Sequence, residues 1–296
     1  MIMKLSNIFL STLVVLLCCT ACSKDDESFK GKDADASLSI AVKAAGSAVT
    51  KGFHPNDENE LAGEAKVNNL SVLVFDESGA QLIGYGWQAT NSEGEASILN
   101  VPAMTMRAQI VIVSNTPENS LAGVTSYSDF ESKLAQLADQ SQSNLVMSSP
   151  VITTQAPLVK GDNYLGYASM GSENINGIAE PVEITRLAAR LDLVNVKTDF
   201  TKTLLRNRTV RVEEVTILNQ STASRFFSRD YWGVVMATGH LGNSGATALN
   251  RDIANGSPIN DTPYVHYVME NDGSEAPTEI QVRATLLETD TYEAET

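Results

Sequence analysis

The chain is poor in cysteine. Its three cysteines, Cys18, Cys19 and Cys22, all fall near the start of a 296-residue sequence. The rest of the protein has no thiol, which excludes disulfides, a cysteine-ligated metal and a cysteine nucleophile there. Positive charge is scarce too. Lys and Arg number 21 against 36 Asp and Glu, a formal net charge of −15. Nucleic-acid binding needs clustered Lys and Arg, so the balance argues against it. It favours solubility and repulsion from anionic surfaces. Aromatic residues make up only 6%, which weakens a glycan-binding reading, because such sites need exposed rings. His54, His240 and His266 show no His-Glu-x-x-His or paired-ligand spacing. A Gly-x-Ser-x-Gly elbow and a phosphate loop are also missing. The sequence therefore offers no catalytic residues, no cofactor site and no metal site. Gly161-Asp162-Asn163 and Asn271-Asp272-Gly273 have calcium-ligand residue types, but no full ligand run surrounds either, and tight turns explain both. Trp87 and Trp232 fit the core or its rim.

Long apolar runs are also wanting: none reaches the roughly 20 residues that span a bilayer. The longest is Ile8 to Leu17, preceded by Lys4 and followed by Cys18-Cys19-Thr20-Ala21-Cys22 and then Ser23-Lys24-Asp25-Asp26-Glu27. This is the layout of a signal peptide. Small residues directly before Cys22 suit a lipoprotein signal peptidase cutting between Ala21 and Cys22. Cys19 occupies the position where the usual pattern has Leu. An ordinary secretory signal with incidental cysteines is the alternative. Lipid on Cys22 would be the sole anchor, each buried methylene adding roughly 0.8 kcal/mol of membrane affinity. The acidic stretch after Cys22 resembles the surface-export signal of Bacteroidetes lipoproteins.

Residues 1–21 are thus expected to be the leader and 22–36 a solvated acidic tether. A strictly alternating segment, Ser37 to Lys43, follows, with Leu38, Ile40 and Val42 on one face. It predicts a half-buried strand. Ala44 to Glu64 reads as a polar loop. Further strands are expected at Asn69–Asp76, Gln81–Gln88, Ala96–Val101 and Arg107–Ser114, with turns at Glu77-Ser78-Gly79 and Asn91-Ser92-Glu93-Gly94. Phe130, Leu134, Leu137 and Ala138 recur at helical spacing behind Ser128 and Glu131, which predicts one helix over Ser128–Ser141. Strands resume near Val151, Leu158 and Tyr164–Tyr167. Val182 to Thr198 is read as one long strand, although Leu187 to Leu191 also suits a helix. Arg211–Leu218, Tyr264–Met269 and Ile280–Leu287 complete the set, the last two joined by a hairpin at Asn271-Asp272-Gly273. Strands between polar turns, with a single short helix, make a mainly β protein of paired β-sandwiches.

The order of features resembles one family. A lipoprotein leader and acidic tether precede an alternating strand, a basic residue in a polar loop, and Asn69-Leu70-Ser71-Val72-Leu73-Val74-Phe75. Further on stands Thr185-Arg186-Leu187-Ala188-Ala189-Arg190-Leu191-Asp192. These resemble the fimbrillins of Bacteroidales, pilus subunits typified by the major and minor fimbriae of Porphyromonas. The resemblance implies two tandem transthyretin-like sandwiches, expected at 37–186, with the short helix, and at 187–296. It implies cleavage by an Arg- or Lys-specific protease, which falls here between Lys51 and Gly52. The strand carrying Leu38, Ile40 and Val42 would then leave, and a strand of another subunit would enter. The family's last donor strand has no evident counterpart after Leu287, so the sequence is expected to be incomplete or the subunit atypical. Arg186 and Arg190 read as salt-bridging or inter-domain residues.

The expected function is a structural subunit of a cell-surface fimbria, made as an outer-membrane lipoprotein precursor and supporting adhesion. Its partners would be other fimbrial subunits, the outer membrane before processing, and a host or bacterial surface ligand, with no nucleic acid. The alternatives are a non-polymerising lipoprotein that binds a glycan or host ligand, and an anchor or tip subunit.

Overall fold

The computed structural model describes residues 33–45, 61–193, 195–226, 235–257 and 264–287. The first unit contains β1 (Ala36–Ala44), β2 (Lys66–Asp76), β3 (Leu82–Glu93), β4 (Glu95–Ala103), β5 (Ala108–Ser114), α1 (Tyr127–Ser132), β6 (Leu134–Gln136), β7 (Met147–Ser148), β8 (Ile152–Thr153), β9 (Gly161–Leu165) and β10 (Val182–Arg186). The second contains β11 (Ala188–Leu193), β12 (Thr209–Leu218), β13 (Gln220–Ser221), β14 (Ala223–Arg225), β15 (Val235–Met236), β16 (Leu241–Gly242), β17 (Thr247–Ala254), β18 (Tyr264–Met269) and β19 (Glu279–Leu287). The protein is mainly β, with two tandem sandwiches.

In the first sandwich a nine-stranded sheet runs β3-β2-β5-β7-β10-β1-β4, with β8 on β5 and β9 on β1. The sheet folds over on itself, so that Leu38, Ile40 and Val42 pack with Val72, Val74, Ile110 and Ile112 in one core. β2 and β5 are buried on both faces, which explains their nearly unbroken apolar runs. Their other faces, through Leu73, Phe75, Val111 and Val113, form a second core with Tyr127 and Phe130 of α1. Ala188, Phe226 and Met269 of the second unit join that same core. In the second sandwich β17-β12-β19 faces β11-β18-β13-β16 around Val215, Ile217 and Tyr264. Backbone pairing also joins the two units: β6 lies antiparallel to β14, with Ser224 opposite Ala135.

Several expectations need correction. The helix is shorter and starts earlier: Ser126 caps it, accepting from Asp129 N–H at 3.1 Å. Leu134, placed on the helix by its spacing, instead opens β6 with Ala135, because β14 offers them a partner. The stretch Val182–Thr198 is not one strand. It breaks at buried Leu187, whose N–H bonds Val146 C=O at 2.9 Å, and its halves enter different sheets. No hairpin joins Tyr264–Met269 to Ile280–Leu287: β18 pairs with β11 and β13, β19 with β12. Asn271 ties this crossover together, donating to Asn219 C=O at 2.8 Å and Ala276 C=O at 2.9 Å. Gly161-Asp162-Asn163 is the start of β9, not a turn, and Leu158 sits between strands. The strand Thr247–Ala254 was not expected; its polar, edge-type composition hides it.

Candidate assembly site

β1 is not at an edge. Along one side it runs antiparallel to β4, with Leu38 opposite Val101, Ile40 opposite Ile98 and Val42 opposite Ala96. Along the other it runs parallel, first to β9 (Ile40 opposite Leu165) and then to β10 (Val42 opposite Val182). Leu38, Ile40 and Val42 are each 0% exposed. The alternation that predicts the strand therefore also places its apolar face on the core.

Both ends of β1 are fastened. At its start, the Asp35 carboxylate accepts Thr105 N–H at 2.8 Å and Asp35 C=O accepts Gly161 N–H at 3.0 Å. The hydrogen bond from Thr105 holds the Asp35 carboxyl below the usual range. Near the same end, Asn163 Nδ2 donates to Ser37 C=O at 3.2 Å. At the far end Ala44 N–H reaches Gly94 C=O at 2.7 Å, Ala45 N–H reaches Ile184 C=O at 2.9 Å, and Lys43 pairs with Glu183 at 3.3 Å. Gly166 permits a close pass: a Cβ there would lie 2.6 Å from Ala41 C=O, and its φ is +87°. Taking β1 away would leave β4 facing β9 and β10 across an apolar slot, with unpaired backbone on both walls.

Cys22 with Ala21, and Lys51 with Gly52, lie outside the described residues. The structure does bring Arg186 and Arg190 to one place, where the two units meet. Arg190 Nη1 donates to Glu64 Oε2 at 2.8 Å and its Nε to Asp192 Oδ2 at 2.8 Å. Arg186 Nε donates to Glu64 C=O at 2.9 Å, and Tyr267 Oη to Glu64 Oε1 at 2.7 Å. Burial works against the Arg190 cation, but Glu64 and Asp192 outweigh it and raise its pKa. Burial and the bond to Glu64 push the Tyr267 phenol well up. Glu64 is 4% exposed. Nothing in the sequence marks it, since it closes a polar loop among other acidic residues.

The comparisons agree with this architecture. Residues 36–186 match the family of the major fimbrial subunit protein (FimA). Residues 187–296 match the C-terminal domain of Fim1C-like fimbrium tip subunits. The chain belongs to the fimbrial-subunit family of FimA. Within that fimbrillin family, Fim1C of Parabacteroides distasonis, provisionally named a fimbrium tip subunit, is 45% identical over 99% of this chain and 78% of its own length. The major fimbrium subunit FimA type-2 of Porphyromonas gingivalis is 27% identical over 91% of this chain and 68% of its own. A crystal structure from P. distasonis, provisionally described as a cell adhesion protein, superposes with a TM-score of 0.81 at 45% identity, covering 88% of this chain and 78% of that one. The fimbrillin described here is accordingly a subunit of a cell-surface appendage, and its relatives are fimbrial subunits, not enzymes.

Proposed function

We propose that this chain reaches the cell surface as a lipoprotein held by Cys22, is cut between Lys51 and Gly52, and then accepts an extended segment of another fimbrial subunit in the slot of β1. One observation carries the reading: the strand upstream of Lys51 is a doubly paired central strand whose apolar face is fully buried. Burying Leu38, Ile40 and Val42 contributes roughly 1.5–3 kcal/mol each, so about 5–9 kcal/mol as an upper estimate. While β1 is covalently attached, its high effective concentration shuts out any competitor. Cutting the chain makes β1 a separate peptide, and a strand with alternating aliphatic residues can replace it by strand addition. The similarity to Fim1C supports a position at or near the fimbrial tip rather than along the shaft.

The test is the N-terminal sequence and mass of the protein taken from the surface of its native cells. A start at Gly52, in heat-labile assemblies, is expected. A start at acylated Cys22, in a monomer that stays with the membrane, would refute processing and favour a non-polymerising surface lipoprotein.

A further inference from the structure

Between Ala44 and Ala65 the only Lys or Arg is Lys51, and the neighbouring basic residues on either side are Lys43 and Lys66. A protease that reads basic residues therefore has three candidate bonds within a short stretch, and the last of them would damage the strand that follows it. Cutting after Lys66 would detach β2 from everything before it at the first residue of the strand. Proteases bind their substrates as extended segments, so a bond within folded structure is cut only after local opening. Lys43 is secured by β1 itself, opposite Glu95 and Glu183 and ion-paired with the latter. Lys66 lies at a strand end, opposite Glu93 of β3 and with its C=O accepting Asn115 Nδ2 at 2.7 Å. It opens β2, where strands fray, and once the chain is cut at Lys51 the residues before it become a free end.

Several contacts hold that end down. Glu64 N–H bonds Leu61 C=O at 3.0 Å and Lys66 N–H bonds Gly63 C=O at 3.1 Å, which closes a tight turn with Gly63 at φ +92°. Glu64 Oε2 accepts Leu61 N–H at 3.0 Å. The carboxylate is then gripped by Arg190 and Tyr267, both from the second sandwich. The backbone of the turn is gripped by Arg186 and, at Ala62 C=O, by Gln142 Nε2 at 2.9 Å. We infer that this clamp on Glu64 determines where processing stops: it withholds the Lys66–Val67 bond from an Arg- or Lys-specific protease, so that cutting is confined to Lys51 and β2 stays whole. The inference rests on the processing reading above. It makes the second sandwich a condition for correct processing of the first. A subunit whose C-terminal sheets are not docked loses Arg190 and Tyr267 from the turn and is cut into β2.

The experiment is a time course of limited trypsin digestion of the chain from Ser23 to Thr296, followed by fragment mass. The set comprises wild type, Arg190→Met, Glu64→Gln, Tyr267→Phe, and Lys51→Gln with and without Arg190→Met. Cleavage after Arg107, at the start of β5, reports general loosening, because Ala108 is buried. Wild type is expected to be cut after Lys51 while Lys66–Val67 persists. Arg190→Met and Glu64→Gln should speed cleavage at Lys66 by about tenfold or more, and Tyr267→Phe by less, with the Arg107 rate unchanged. An unchanged Lys66 rate would overturn the inference. So would Lys66 and Arg107 rates that rise together, since the contacts would then serve stability alone. Failure of wild type to be cut at Lys51 would count against the processing reading. The Lys51→Gln pair would still decide the clamp, by whether Arg190→Met selectively exposes Lys66.

Discussion

Single residues on β1 and beside it should have large effects. Ile40 is fully buried between β4 and β9. Ile40→Ala should lower the stability of the uncut protein by about 2–5 kcal/mol, measured by urea denaturation. Gly166→Ala should also destabilise, because the added Cβ meets Ala41 C=O and φ at this position is positive; a wild-type melting temperature would refute this. Asp76 gives a pH signature. Burial raises its pKa, but hydrogen bonds from Ser78 and the backbone of Ala80, Gln81 and Gly79 outweigh that and lower it. Its contribution is therefore present above the ordinary carboxylate range and lost as pH falls through the depressed folded value. The stability gap between wild type and Asp76→Asn should be widest near neutrality and close in acid, read from denaturation curves across pH. Burial of Ile40 can be read from the alternation of its strand, but the Asp76 effect depends on the turn that follows it, and Glu64 is hidden behind Asp57, Glu58 and Glu60.

For elements, legibility followed burial pattern. β1, β2, β5, β12 and β18 could be read because their alternating or continuous apolar runs report one or two buried faces. The split at Leu187 also left a trace: Val182 and Ile184 share one parity, Leu191 and Leu193 the other. A strand that changes parity has changed the face it buries, and here it changes sheets. β6 left no such trace, since its existence depends on β14, far away in sequence. Likewise β17 carries few aliphatic residues and owes its form to β12. The slot of β1 leads to an element-scale prediction. After cleavage at Lys51, a labelled peptide of residues 36–44 should bind the cut protein, and the same peptide with Ile40→Asp should not, by fluorescence anisotropy. Equal binding of both would mean that side-chain burial does not select the strand.

At the scale of the whole molecule, the two sandwiches are joined by more than a linker. Phe130 stacks on Phe226 with ring centroids 5.2 Å apart, β6 pairs with β14, and Glu64 holds Arg190. Unfolding of the intact chain should therefore be a single transition by calorimetry. Phe226→Ala should cost about 3–5 kcal/mol and separate the two units into distinct transitions. Residues 37–186 expressed alone would uncover part of the core around Phe75 and Val113, and should bind a hydrophobic dye that the whole chain does not.

The enclosure of β1 also bears on symmetry. In the assembly proposed above, a slot walled by β4 on one side and by β9 and β10 on the other would accept a strand but is not itself a strand to be given. Contacts built on it would join unlike surfaces of successive subunits, and such heterologous contacts extend instead of closing into a two-fold pair. The walls impose a direction as well, since one is antiparallel to its occupant and the other parallel. An assembly made this way would have two different ends, and at one of them a slot would stand open until something other than the next subunit filled it.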